Sequence, residues 1–220
     1  MPEDELASPV PRAPQVEVAA ALRRLAALCV TTEVGDEVLA RAADELSSVA
    51  DRLASRTSPA GKPRFHSDYS SDAPVTPNRV MPFDMVVGVC NPIAPPVAIT
   101  FDPPRALGRA RYTESYEGAP GWVHGAAVAA AFDMVLTAAN MVHGVAGPTV
   151  SLTLRYLRPT LLGQDCHFEA WVEEVRGRRV IAKGRLVQDD GTSVEATGEF
   201  VSLDYQDVQA RSRVRRDGDD

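Results

Sequence analysis

Few folds can accommodate the stretch from Gly118 to Gly147. It opens on a turn signal, Pro120-Gly121, followed by His124-Gly125. About eighteen residues follow that are nearly all small or apolar, and His143-Gly144 supplies a C-terminal cap. A helix that is apolar on every face has no side for solvent, so it must be enclosed. Such a helix is expected over Gly125–Val142. One ionisable residue, Asp133, lies inside it. A carboxylate in apolar surroundings must be paired or hydrogen-bonded, or it neutralises. Carboxylates perturbed in this way are candidates for catalysis.

The run approaches the length of a membrane span. It is Ala-rich rather than Leu-rich, carries Asp133 and Asn140, and leads directly into alternating segments. We read it as a core helix, with no membrane span. The 220-residue chain has 45% hydrophobic and 24% charged residues, an ordinary soluble composition. Its net charge of −7, without a basic run, argues against nucleic acid as a partner. Cys29, Cys90 and Cys166 are scattered, with neither disulfide nor metal spacing, so a cytoplasmic location and no metal are expected. The acidic start, MPEDEL, shows no signal peptide.

Residues 1–15 are Pro-rich and acidic and read as disordered. A helical extension is expected over 16–57. Its first helix has Val18, Leu22, Leu25, Ala26 and Leu28 at helical spacing. Its second is capped by Asp36, with a stripe of Val38, Leu39, Ala42, Leu46, Val49 and Leu53. Such a helical hairpin would pack on the main domain or on a partner subunit, and it carries no chemistry. Residues 58–82 are a linker arm rich in Pro, Ser and Gly. The folded domain is expected over 83–203, and 204–220 is a charged tail.

Short apolar runs at Met85–Cys90 and Val97–Phe101 and an alternating run at Gly108–Tyr116 read as strands. Four more follow the helix: Thr149–Leu157, Cys166–Val175, Arg179–Gln188 and Thr192–Leu203. In the first of these, Val150, Leu152, Leu154 and Tyr156 share one apolar face. Arg176-Gly177 and Asp190-Gly191 read as hairpin turns. Antiparallel strands with one apolar face need a cover, and a wholly apolar helix supplies one. The fold class is therefore α+β: one long central helix wrapped by an antiparallel sheet, with an N-terminal helical extension. One sheet cannot surround a helix, so a second copy of the chain is expected on its open side.

The segment EGAPGWVHGAAVAAAFD followed by PTVSLTLRYLRPTLLG resembles the PaaI-type thioesterases of the hotdog fold. The resemblance spans roughly Phe83 to Leu203. It rests on His124-Gly125, Asp133 nine residues after the His, and the strand ending Tyr156-Leu157-Arg158-Pro159, with Asn91-Pro92 upstream. It departs at Ala126, where a second Gly is usual. The resemblance implies hydrolysis of an acyl thioester, acyl-CoA foremost, by a homodimer or homotetramer without metal or redox cofactor.

Helix geometry agrees with a two-chain site. Nine residues advance about 13 Å and turn about 180°, so Asp133 and the Gly125 end of one helix cannot meet at one carbon. Two antiparallel helices across a two-fold axis bring them together. The helix N-terminus would hold the oxyanion with the Gly125 amide, and Asp133 would serve as general base or nucleophile. His124 and Thr149 are further catalytic candidates, Thr149 as the partner such families give the carboxylate. Arg155, Tyr156, Leu157, Arg178 and Asn140 are candidates for substrate binding, the arginines because their forks match phosphate. His143 reads as a cap, and Met134 and Met141 as core. An enoyl-hydratase chemistry would need an Asp and a His about five residues apart beside the helix, a pair this sequence lacks. A non-catalytic acyl-CoA binder or scaffold is the alternative.

Overall fold

The computed structural model describes residues 13–57, 76–95, 97–189 and 191–203. Of the stretch expected to be disordered, 1–15, residues 13–15 begin the first helix instead; residues 1–12, most of the 58–82 arm, Asp190 and the charged tail lie outside the described residues. Helices α1 (Ala13–Thr31) and α2 (Asp36–Ala54) come first, then a short α3 (Pro77–Val80). Strands β1 (Ala98–Asp102) and β2 (Arg105–Arg111) precede a 3-10 turn, Glu114–Tyr116, and helix α4 (Gly125–Val142). Strands β3 (Thr149–Tyr156), β4 (Asp165–Arg176), β5 (Arg179–Gln188) and β6 (Gly191–Val201) complete the order.

The six strands form one antiparallel sheet, ordered β1-β2-β4-β5-β6-β3, and α4 touches every one of them. This is the expected hotdog arrangement. Phe132, Val135, Leu136 and Ala139 of α4 are buried against Phe168, Ala182 and Phe200 of the sheet. Phe132 meets Phe168 edge-on at 5.2 Å, a geometry worth about 1 kcal/mol beyond the area buried. Met134 and Met141 are core residues as expected. Gly108, Gly184 and Gly198 let the helix lie close; a Cβ on Gly108 would come within 2.8 Å of Val135. The three cysteines are unpaired, and burial pushes the Cys166 thiol up to about 12 although Gln188 donates to it.

One face of α4 stays uncovered. Ala126, Ala130, Asp133 and Thr137, spaced i, i+4, i+7 and i+11, are exposed or half-buried along it. Asp133 is therefore half-buried in the single chain rather than sealed in the core.

Four expectations are corrected. Met85–Cys90 is not a strand but a run of turns, because side chains claim its backbone groups. Asp84 accepts from the amides of Val86 and Val87, and the Asn78 amide donates to the carbonyls of Val87 and Val97. The strand expected at Gly108–Tyr116 lies earlier, at Arg105–Arg111, with Tyr112 turned into the core. The expected hairpin is two helices that scarcely touch: α1 sets only Ala19 into the core, and α2 buries nothing. Gly35, not Asp36, is the N-cap of α2, and Asp36 occupies the first turn, where its charge suits the helix dipole.

Candidate active site

The N-terminus of α4 is tightly specified. The loop before it is held by Glu117, whose carboxylate accepts from the Gly121 amide at 2.6 Å, with Gly121 itself at φ +79°. His124 is the N-cap, and its Nδ1 accepts from the Ala126 amide at 3.1 Å. The amides of Ala127 and Val128 both point to the His124 carbonyl. Only the Gly125 amide is left unclaimed in this first turn among the described residues. The usual second Gly is thus replaced at a position whose amide already serves the cap. His124 acts here as a helix cap.

Tyr156, at the far end of β3, donates its hydroxyl to the Gly125 carbonyl at 2.9 Å. Burial of the hydroxyl raises its pKa above the ordinary phenol value. A Cβ at Gly125 would approach that hydroxyl to 3.1 Å, so the glycine permits the contact. Beside this pair lies a cavity of about 370 Å³, walled by Trp122, Val123, Tyr156, Leu157, Arg158, Pro159 and Thr160. Its wall is pinned from behind. An extra residue in β6, Ser193, interrupts the pairing with β5, and its carbonyl accepts from the amides of Leu157 and Arg158. Gln188 clamps Leu161 through both its amide and its carbonyl, and Val123 donates to the Thr160 carbonyl.

Asp133 lies eight residues along α4 from Gly125, about 12 Å of helix rise. Thr149 donates to its Oδ1 at 2.6 Å. A bulge makes this contact. Thr149 pairs with Phe200 and Ser151 with Glu199, so Val150 is the unpaired extra residue. Thr149 consequently shares the helix-facing side with Leu152, Leu154 and Tyr156. Val150, expected on that side, is 58% exposed.

The remaining candidates stand apart. Asn140 is fully buried, and its amide nitrogen and oxygen have no hydrogen-bond partner among the described residues. It neither bonds Asp133 nor lines the cavity. Arg155 alternates with Leu154 and Tyr156, faces the other side of β3, and pairs with Glu195. Arg178 lies in the β4–β5 turn and donates to the Ser202 carbonyl. His143 is the C-cap. The sequence reading missed Trp122, Val123 and Thr160 as cavity walls. An aromatic residue two positions before the His124 cap was the only available signal.

The thioesterase superfamily profile matches residues 120–195, which hold α4, β3 and both ends of this arrangement. A crystal structure of a thioesterase superfamily protein superposes with TM-score 0.76 at 32% identity, covering 90% of this chain and 95% of that one. The chain belongs to the thioesterase superfamily. That is the family its His-Gly and Asp spacing resembled. The Escherichia coli PaaI protein from the phenylacetic acid degradation operon matches at 18% identity and TM-score 0.46, over 49% of this chain and 83% of that one. A Streptococcus mutans structure bound to acetyl CoA matches at 14% identity and TM-score 0.45, over 48% of this chain and 88% of that one. No curated protein matches the chain.

Proposed function

We propose that this thioesterase-superfamily protein hydrolyses an acyl thioester, with coenzyme A as the carrier, to a free acid and a thiol. The observation that carries the reading is the Gly125 amide, unclaimed among the described residues, at the positive end of a helix and at the mouth of an apolar cavity. A helix N-terminus with one free amide suits the negative charge that develops on a thioester oxygen. Asp133, held by Thr149, would activate water or attack the carbonyl carbon directly.

One chain cannot bring the two together, because both groups lie on one rigid helix. We propose a homodimer, or a tetramer of such dimers, in which Asp133 of one chain faces the Gly125 end of the other. No metal or redox cofactor enters this chemistry, and a reducing cytoplasm suits the three free thiols. The test is a panel of acyl-CoA and acyl-carrier-protein thioesters with detection of the released thiol. Release from at least one acyl-CoA at a kcat of about 1 s⁻¹ or more is expected. Binding without release across the panel would favour the scaffold alternative.

A further inference from the structure

The N-terminal helices read as inert in the sequence, yet α1 is tied to the site. We infer that Arg23 is a positioning residue for the thioester reaction, bracing the α4 N-terminus through the 83–94 loop and Tyr116. The inference rests on the proposed role of the Gly125 amide.

The connection is continuous. The half-buried Arg23 guanidinium donates to the Asn91 carbonyl at 2.9 Å and, at 3.5 Å, to the Val89 carbonyl. Ala19, one turn earlier on the same face, is the one buried residue of α1, and α1 packs on the 3-10 turn. The segment Arg23 grips has no strand or helix ladder of its own. Two residues beyond Asn91, the Ile93 carbonyl accepts from the Tyr116 hydroxyl at 3.1 Å. The Tyr116 carbonyl in turn accepts from the His124 amide at 2.7 Å, and His124 caps α4 through the Ala126 amide. Each link therefore fixes the next, from α1 to the turn that presents the Gly125 amide. A guanidinium suits the first link because its planar fork can address two carbonyls at once, which an ammonium holds less rigidly. Oxyanion donors act only when held in place, so loosening this path should slow the chemistry more than it weakens binding.

Hydrogen exchange and turnover in the full-length protein test this together. In Arg23→Ala, peptides spanning 116–128 should exchange about tenfold faster, while β4–β6 peptides keep their rates. With an acyl-CoA substrate, kcat should fall about 5- to 50-fold with KM unchanged, and Arg23→Lys should recover part of it. Tyr116→Phe cuts the path downstream of α1 and should loosen 123–128 in the same way, so it serves if Arg23→Ala does not fold. Unchanged exchange at 116–128 overturns the brace. Equal acceleration across β4–β6 shows a general loss of stability and also overturns it. Local loosening without a fall in kcat overturns the positioning role. A wild-type protein that cleaves no thioester defeats the functional reading instead, and the exchange data then decide the brace alone.

Discussion

Asp133 and Asn140 lie two turns apart on α4, and the fold treats them differently. Asp133 opens onto the uncovered stripe and is held by Thr149. Asn140 is sealed in, with both polar atoms unpaired among the described residues. A charge at the first position is tolerable because it keeps a donor and partial access to water, whereas the second position admits only a neutral amide. This placement makes Asp133→Asn informative. The amide keeps the shape but can act neither as base nor as nucleophile. We expect kcat to fall by about 10²- to 10⁴-fold, with binding of a non-hydrolysable thioether analogue of the substrate retained. Thermal stability should hold or rise, since a partly buried charge is removed. Undiminished turnover would make Asp133 structural.

At the scale of elements, β3 matters most, because one strand serves both ends of the helix. Tyr156 reaches Gly125 and Thr149 reaches Asp133, although seven positions separate them and a regular strand would put them on opposite faces. The extra residue Val150 restores the match. Deleting Val150 should regularise the ladder and leave six positions between Thr149 and Tyr156, which keeps Thr149 on the helix-facing side, so Thr149→Val is the change that removes the contact with Asp133. Losing a hydrogen bond to a charged group costs about 1.5–3 kcal/mol, so turnover of Thr149→Val should drop about 10- to 100-fold. Circular dichroism should still report the sheet in both variants, and the Val150 deletion should keep more of its kcat than Thr149→Val. Undiminished turnover in Thr149→Val would show that the Thr149 contact has no part in catalysis.

At the scale of the whole molecule, the uncovered stripe on α4 calls for a partner. Ala126, Ala130 and Thr137 flank Asp133 with small side chains, so a second helix can come close. Light scattering at micromolar concentration should therefore give a dimer or tetramer, and a stable monomer would sink the shared site. Complementation tests the same point chemically. Gly125→Val crowds Tyr156, against which even a Cβ would stand at 3.1 Å, and so disables the oxyanion end. Asp133→Asn disables the other end. Unfolded and refolded together, the two inactive proteins should regain up to about a quarter of wild-type activity, because half the dimers are mixed and each has one intact site. No recovery, with mixed dimers verified by mass spectrometry, would place both groups of a site on one chain.

Much of this protein was legible in the order of its residues. A wholly apolar run forces an enclosed helix, and α4 occupies Gly125–Val142 as expected. Period-two alternation set β4, β5 and β6 within two residues, because a half-covered sheet imposes its own period. The His-Gly and Asp spacing identified the family. What only the tertiary structure decided depends on partners distant in sequence. Apolar content made Met85–Cys90 look like a strand, but side chains of Asn78 and Asp84 hold it in turns. Alternation put Val150 inside, but pairing with β6 expelled it, since register belongs to two strands and not to one. Nothing local to α1 shows that Arg23 reaches carbonyls more than sixty residues away. Periodicity records which face of an element is buried; it does not record which polar groups the fold brings together on the other faces.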